Sequence, residues 1–257
     1  MESIDIKKTD KEKIVNTYAR YDLAVKQGKG AVCTSYDGKE YIDFTSGIGV
    51  NSLGFCDDGW VKAVTEQLNK LQHISNLFYT EPQVKAAELL TAKTGMSKVF
   101  FGNSGAEANE AAIKTARKYG SKVKGNSLNK IVTLVNSFHG RTMATITATG
   151  QDHYHQYFTP FVEGFAYCEP DNIQQLEELV DDNTCAVMLE MIQGEGGVIA
   201  LSEEFVKAAE KLCRQKDILL IIDEVQTGVG RTGRMFCYEH YGIKPDMVTF
   251  AKGIGGG

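Results

Sequence analysis

The stretch Ile218-Leu-Leu-Ile-Ile-Asp223-Glu-Val-Gln226 decides the fold class, because an apolar run ends abruptly in two carboxylates. A run of this length predicts a fully buried strand and is far too short to cross a bilayer. The segment 203–215 before it has the pattern of an amphipathic helix, and short apolar runs alternate with such segments along the chain. This alternation predicts an α/β fold, with a mainly parallel sheet covered by helices on both faces. Ligands bind such sheets at the carboxyl ends of the strands, where Asp223 stands.

The remaining elements follow from reading outward from this strand. Helices are predicted at 60–71, 81–93, 104–119, 172–180 and 203–215. Strands are predicted at 98–101, 131–135, 163–167, 186–190, 218–223 and 247–250. Residues 1–45 are expected to form a small irregular lead-in, in which Asp37-Gly38 between two β-prone runs predicts a hairpin. We therefore divide the chain into an N-terminal segment, 1–45, and a large domain, 46–257.

Composition excludes several classes of function. The 257 residues are 42% hydrophobic and 24% charged, which is typical of a globular protein, and a net charge of -5 gives no reason to expect nucleic acid or an anionic membrane as partner. The six cysteines are scattered without a Cys-x-x-Cys pair, which predicts reduced thiols, no disulfides and no metal site. The N-terminus lacks the apolar core of a signal peptide, so the predicted location is the cytoplasm.

Two stretches resemble nucleotide-binding signatures. The acidic strand end Asp223-Glu224 is typical of nucleotide hydrolases, but the chain has no phosphate loop of the form G-x-x-x-x-G-K-[ST]. Gly228-Val-Gly-Arg-Thr-Gly233 fits G-x-G-x-x-G, yet no clean helical pattern starts at Gly233 as a dinucleotide site requires. Both interpretations therefore remain weak alternatives.

The segment Gly102-Asn-Ser-Gly-Ala-Glu-Ala-Asn-Glu110 follows a predicted strand and opens a predicted helix. Ser104 and Glu107 have the spacing of a capping box. A glycine here lets the backbone approach a ligand, and the first-turn N–H groups converge on a spot that suits a phosphate dianion. A well-capped helix without any ligand accounts for the same residues equally well.

Four more side chains near predicted strand ends complete a chemical set. Phe138 offers a face for a flat ring and Arg141 a planar fork for a carboxylate, although a buried Phe and a surface Arg would explain each alone. Asp223 must be paired or functional after so apolar a strand. Lys252 ends another apolar strand, where a desolvated lysine loses its proton easily and attacks carbonyls. A phosphate cradle, an aromatic face, a carboxylate and a lysine are together what pyridoxal phosphate requires.

Five ordered motifs resemble those of a known family. They are Gly102-Asn-Ser-Gly-Ala-Glu-Ala-Asn-Glu-Ala, Ser137-Phe-His-Gly-Arg-Thr, Ile192-Gln-Gly-Glu-Gly-Gly, Ile222-Asp-Glu-Val-Gln-Thr-Gly-Val-Gly-Arg-Thr-Gly and Ala251-Lys-Gly-Ile-Gly-Gly-Gly. On these motifs nearly the whole chain, from about Ala31 to Gly257, resembles the class III, fold type I, pyridoxal-phosphate-dependent aminotransferases.

The resemblance implies a role for each matching residue. The residues implied to contact the cofactor are Ser104, Gly105, Ala106, Phe138, Asp223, Val225, Gln226 and Lys252. Lys252 is implied to hold pyridoxal phosphate covalently and to move a proton, and Asp223 to pair with the pyridinium nitrogen. Arg141 is implied to bind the α-carboxylate of the amino donor. Glu195 is implied to be an acidic gate that pairs with a C-terminal arginine, and Glu190 to support the cofactor side of the pocket.

The resemblance also implies an activity and partners. We expect a cytoplasmic homodimer of arginine biosynthesis that transfers the amino group of N-acetylornithine to 2-oxoglutarate by a two-stage, ping-pong route. Ornithine, succinylornithine and 4-aminobutyrate remain alternative donors. Members of the family continue beyond the point that matches Gly257, so the large domain is expected to be incomplete at its C-terminus, and an inactive fragment is a further alternative.

Overall fold

The structure is a computed structural model that describes residues 3–125 and 128–257, without the side chains of residues 3 and 4. The chain divides into two compact units, the first comprising Met1–Phe78 with Gly255–Gly257 and the second Tyr79–Ile254. Residues 1, 2, 126 and 127, which fall inside the two predicted domains, lie outside the described residues. The predicted domains themselves, 1–45 and 46–257, stay predictions.

The second unit is an α/β sandwich around a five-stranded sheet. Its helices are α4 (Glu81–Thr94), α5 (Gly105–Lys122), α6 (Met143–Ala148), α7 (Ile173–Leu179) and α8 (Glu203–Lys216). Its strands are β4 (Lys130–Leu134), β5 (Phe165–Cys168), β6 (Thr184–Leu189), β7 (Ile192–Gln193), β8 (Ile199–Ala200), β9 (Leu219–Asp223) and β10 (Met247–Thr249). The sheet has the order β10-β9-β6-β4-β5 with every pair parallel, and β7 and β8 form a separate antiparallel pair.

Strand β9 shows why both faces of this sheet are covered. Successive side chains of a strand point to opposite faces. Ile221 packs in an apolar cluster with Ile113 of α5, whereas Ile222 packs in the opposite cluster with Phe205 of α8. All of these side chains are almost completely buried. The predicted α/β fold, with a mainly parallel sheet and helices on both faces, is therefore confirmed.

The first unit is smaller and built around an antiparallel sheet. Its elements are α1 (Ser3–Lys13), β1 (Val25–Lys29), β2 (Val32–Ser35), β3 (Glu40–Ile42), α2 (Ser46–Gly49) and α3 (Asp58–Leu68). Strands β2 and β3 form the predicted hairpin, and its turn uses Gly38 at a φ of 84°. The short element α2 is a left-handed turn, since its four residues all have positive φ. Across the described residues no helix has both the length and the apolar character needed to span a membrane.

Two predictions about elements were wrong. Residues 98–101 form no strand, and Phe100 remains 74% exposed, because no described strand pairs with this apolar run. The lead-in 1–45 is not irregular, since it holds α1 and three strands. Helix α1 was missed because its polar sequence has no apolar stripe to reveal the period of a helix.

Candidate active site

The predicted site residues of the second unit gather at one edge of the sheet. Strand β9 ends in Asp223, β6 is followed directly by Glu190, and β10 is followed three residues later by Lys252. The loop that contains Phe138 leaves β4, and Ser104 stands before the first turn of α5. Parallel strands end at a common edge, so these segments of distant sequence meet at one place.

Asp223 is the most strongly bonded residue at this edge. It is only 3% exposed, and its Oδ2 accepts from Asn109 Nδ2 at 2.7 Å and lies 2.8 Å from His139 Nδ1. Its Oδ1 accepts from the backbone N–H of Val225 at 2.9 Å. Three donors thus compensate a carboxylate that would otherwise be costly to bury.

Asn109 and His139 are themselves held by further bonds. Asn109 Oδ1 accepts from Thr249 Oγ1 at 2.6 Å, and Asn109 Nδ2 also donates to the His139 carbonyl at 2.8 Å. The His139 N–H donates to Thr149 Oγ1 at 2.9 Å. Burial lowers the pKa of His139, but the bond to Asp223 and the charges of Asp223 and Glu190 outweigh it, so the pKa is raised. We call Asp223, Asn109, His139 and Thr249 the Asp223 network.

The adjacent carboxylates Asp223 and Glu224 serve different regions. Glu224 is fully buried and accepts from Thr227 Oγ1 at 2.6 Å and from the N–H groups of Cys237 and Tyr238 at 3.0 and 2.9 Å. It therefore holds the loop that follows β9, while Asp223 belongs to the sheet edge. No helix begins within residues 228–233, which form turns, so the helix that a dinucleotide site requires is not formed there.

Glu190 is a second buried carboxyl group at the edge. Its Oε1 accepts from the backbone N–H of Phe138 at 2.7 Å. Burial raises the pKa of Glu190 to about 7, the Asp223 charge adds to the rise, and His139 with the N–H groups of Phe138 and Gly194 oppose it. Glu190 thus links the end of β6 to the loop after β4 and can change its protonation near neutral pH.

Lys252 lies half-buried with a left-handed φ of 42°. Such a backbone conformation is uncommon for a residue with a side chain and often marks functional sites. Burial lowers the pKa of the Lys252 ammonium, while the carboxylates of Glu195, Asp223 and Glu190 act in the opposite direction. A lysine in these surroundings releases its proton more easily than a surface lysine, as a nucleophile must.

The N-terminus of α5 has the features of an anion cradle. Ser104 caps the helix by accepting from the Glu107 N–H at 3.1 Å, as predicted. The return bond of the expected capping box is displaced, because the Glu107 carboxylate accepts from the N–H of Asn103 at 2.6 Å instead of that of Ser104. Gly105 touches Val225 so closely that an added Cβ would lie 2.6 Å from Val225 Cγ1. Ala106 follows, half-buried, in the first turn.

Aromatic and charged side chains lie beside this edge. Phe138 is half-buried, and its ring centroid lies 5.3 Å from that of Tyr154. The Arg141 guanidinium lies 5.7 Å from the Phe138 ring centroid and 5.9 Å from that of Tyr154, close enough for cation–π attraction. Gln226 Nε2 donates to Glu195 Oε1 at 3.2 Å. Arg141, which was predicted to bind the donor carboxylate, and Glu195, the predicted acidic gate, are both exposed.

Sequence reasoning missed the residues that support Asp223. His139 lies between two residues that were predicted to be functional, Phe138 and Arg141, but a lone histidine carried no signal of its own. Asn109 lies four residues after Gly105, on the same side of α5, and this helical spacing was the signal that could have indicated it. Thr249 and Tyr154 had no such signal, since only the fold brings them to the site.

Comparison with known proteins gives consistent matches. A family model described as aminotransferase class-III matches residues 14–257. Similar curated proteins include the acetylornithine aminotransferase of Haemophilus ducreyi, 52% identical over the whole chain, and that of Caldanaerobacter subterraneus, 50% identical over 96% of the chain. The chain covers 66% and 63% of the length of these two relatives, which is less than two thirds.

Solved structures agree with the sequence matches. An ornithine aminotransferase from Toxoplasma gondii, described with partial occupancy of PLP at its active site, has a TM-score of 0.93 and 33% identity, covering 97% of this chain and 59% of its own. An N-acetylornithine aminotransferase from Stenotrophomonas maltophilia has a TM-score of 0.81 and 40% identity, covering 93% of this chain and 60% of its own.

Proposed function

Because the chain belongs to the class-III aminotransferase family, we propose that it binds pyridoxal phosphate and transfers the amino group of N-acetylornithine to 2-oxoglutarate. Its α/β fold is that of the fold type I enzymes of this family. The observation that carries the proposal is the half-buried Lys252, whose pKa burial lowers, at the same sheet edge as the buried, triply bonded Asp223.

The residues present fit the cofactor. Asp223 offers a buried carboxylate for a protonated ring nitrogen, and Lys252 offers an amine with a lowered pKa. The close contact of Gly105 with Val225 leaves no room for a side chain at the start of α5, which favours a backbone cradle for a phosphate. Each chemical part of pyridoxal phosphate therefore has a matching group in this unit.

The proposed contacts are divided according to the part of the cofactor that each residue would bind. Ser104, Gly105 and Ala106 would hold the phosphate through the first turn of α5. Phe138 and Val225 would cover the ring, and the remaining contacts are proposed for Asp223 at the ring nitrogen, Gln226 at the ring hydroxyl and Lys252 at the aldehyde carbon.

When bound, pyridoxal phosphate supplies an aldehyde that reacts with amines and a protonated ring that accepts electrons. The chain supplies proton transfer and charge. Lys252 Nζ would take a proton from the carbon of the amino donor that bears the amine and would deliver it to the carbon that receives the amino group. Asp223 would place its carboxylate against the ring nitrogen. Glu190 keeps the Phe138 backbone in place through its 2.7 Å bond.

Selection of the substrate is proposed for two exposed residues. Arg141 would bind the α-carboxylate of the amino donor with its planar fork. Glu195 would serve as the gate, and its bond to Gln226 at 3.2 Å gives it a partner within this unit. N-acetylornithine is favoured as donor because relatives of 46–52% identity that cover nearly all of this chain are named for it.

Membership of the family is also the basis for the proposed assembly and location. We propose a homodimer in the cytoplasm, and a large domain, 46–257, that follows an N-terminal segment, 1–45. Cys168, Cys185, Cys213 and Cys237 are buried free thiols, which suits a reducing compartment. Sedimentation velocity with pyridoxal phosphate tests the dimer, and a single species of monomer mass would contradict it.

Cofactor attachment is tested by chemical trapping. The chain is incubated with pyridoxal phosphate, reduced with borohydride, digested and mapped by mass spectrometry. We expect the label on Lys252, with exposed Lys244 as the internal control. Labelling spread over surface lysines, without preference for Lys252, would overturn the proposed cofactor site.

Substrate choice is tested by a single turnover. With N-acetylornithine and no oxo acid, the loaded enzyme should release about one semialdehyde per subunit and then stop, as a ping-pong route requires. Ornithine and 4-aminobutyrate are run in parallel, and ornithine matters most because the Toxoplasma gondii structure is named for it. Faster release of semialdehyde from ornithine or from 4-aminobutyrate would identify that compound as the donor in place of N-acetylornithine.

A further inference from the structure

His139 is a buried titratable residue to which the proposed function gives no task. It is 2% exposed, and its Nδ1 lies 2.8 Å from Asp223 Oδ2. Its Nε2 has no hydrogen-bond partner among the described residues, although that atom is buried too. A buried polar atom without a partner is costly, so an imidazole needs a specific reason to be kept here.

The contact with Asp223 indicates which ring nitrogen carries a proton. Asp223 has only acceptor oxygens when ionised, so the contact at 2.8 Å requires a hydrogen on His139 Nδ1. The backbone of His139 is fixed on both sides, since its N–H donates to Thr149 and its carbonyl accepts from Asn109. Asp223 is the hydrogen-bond partner that the described residues offer to the His139 ring.

The other donors to Asp223 show what this one adds. Asn109 donates to the same oxygen and is neutral, and the Val225 N–H donates to the other oxygen. The charged groups that act on His139 are the carboxylates of Asp223 and Glu190, both of which favour its protonated form. Among the donors to Asp223, His139 is thus the one that can also carry positive charge.

We propose that His139 is a positioning residue that acts through Asp223, holding its carboxylate in place and aimed at the ring nitrogen of the cofactor. The inference rests on the proposed function, because the ring nitrogen belongs to pyridoxal phosphate. A histidine that only filled space would support every part of the site equally. A histidine that acts through Asp223 supports only the contact that Asp223 makes.

The first experiment measures binding and needs no turnover. Dissociation constants are measured for pyridoxal phosphate and for its 1-deaza analogue, in which C–H replaces the ring nitrogen. The wild type should prefer pyridoxal phosphate by about 10- to 100-fold, the range expected for a hydrogen bond between charged groups. His139→Gln cannot place a donor at the Nδ1 position, so its preference should fall below about threefold.

His139→Asn is the matched control, because its amide nitrogen occupies the place of Nδ1. It should keep a preference within about threefold of that of the wild type, since the hydrogen bond is restored. If His139→Gln weakens both ligands equally, the role is structural and the inference is overturned. If the wild type binds neither ligand, the proposed function fails first and the inference falls with it.

The second experiment is independent of the cofactor and of folding defects at position 139. The ring titration of His139 is followed by nitrogen NMR in the chain without ligand, with the signal assigned by its loss in His139→Asn. Asp223→Asn should lower the pKa of His139 to or below its ordinary value, because the acceptor stays but the charge is removed. An unchanged titration would show that His139 does not act on Asp223 and would overturn the inference.

Discussion

The two units of the chain contrast in how their strands are buried. Strand β6 of the second unit is buried at every residue, whereas β1 and β3 of the first unit have no buried residue. Large side chains follow the same division, since Ile222 is fully buried but Phe44 is 91% exposed. Burial on both faces lets a short sequence determine a strand and place a functional group at its end. When the faces of a sheet are exposed, the apolar pattern of its strands is a weaker signal for prediction from sequence. Burial also stabilises such strands less.

The largest effect should come from the lysine at the buried edge. Lys252→Ala removes both the amine and the proton carrier, so we expect kcat to fall by at least about 10³-fold. The rate of semialdehyde formation from N-acetylornithine and 2-oxoglutarate measures this. Lys244→Ala, which changes an exposed lysine of the same unit, is the control and should leave the rate unchanged. Full activity in Lys252→Ala would mean that the reaction does not depend on Lys252 and does not take place at this edge of the sheet.

A matched pair of isoleucines tests the contrast in stability. Ile222→Ala in β9 opens a cavity in the core and should cost about 2–5 kcal/mol in the free energy of unfolding. Ile42→Ala in β3, where the side chain is 66% exposed, should cost no more than about 0.5 kcal/mol. Urea unfolding curves measure both. Equal losses would mean that the two sheets depend on apolar burial to the same degree.

The same contrast explains what the sequence could predict. Apolar runs in β4, β6, β9 and β10 revealed the sheet, and the ends of β9 and β10 indicated Asp223 and Lys252. Strand 98–101 was predicted on the same grounds and was wrong, because an apolar run becomes a strand only beside a hydrogen-bonded partner. The contacts of His139 with Asp223 and of Thr249 with Asn109 could not be predicted, because the two partners are separated in sequence by 84 and 140 positions, respectively.

Glu190 should make stability depend on pH. Its pKa rises from an ordinary 4.5 to about 7 on folding, so its contribution is fully present below about pH 4.5 and is lost as the pH rises through 7. The loss is on the order of 3 kcal/mol. Glu190→Gln keeps an acceptor for the Phe138 N–H and cannot ionise. We expect the variant to gain stability relative to the wild type as the pH rises from 5 to 8.

Exposed Glu195, five residues later, supplies the control for this experiment. Melting temperatures of the wild type, Glu190→Gln and Glu195→Gln are measured across the pH range in one buffer series. Glu195→Gln should follow the wild type, because its side chain is exposed. A parallel decline in all three proteins would place the ionising group elsewhere.

The smallest effect is expected where α5, whose first turn is the proposed phosphate cradle, meets Val225 in the segment after β9. In Gly105→Ala the new Cβ would lie 2.6 Å from Val225 Cγ1, an overpacking that should cost about 1–3 kcal/mol in unfolding free energy. Gly102→Ala is the control within the same motif, since the nearest atoms to its Cβ would lie 3.4 Å away.

Adding Val225→Ala to Gly105→Ala removes the Cγ atoms responsible for the clash, so the double variant should recover most of the loss beyond the cost of Val225→Ala alone. Unfolding free energies of the four proteins give the coupling between the two positions. Additive effects would mean that α5 and the segment after β9 adjust independently. A favourable coupling would mean that the proposed phosphate cradle is positioned by the same packing that holds the residues beside Asp223, which sharpens the contrast with the exposed strands β1 and β3 of the first unit.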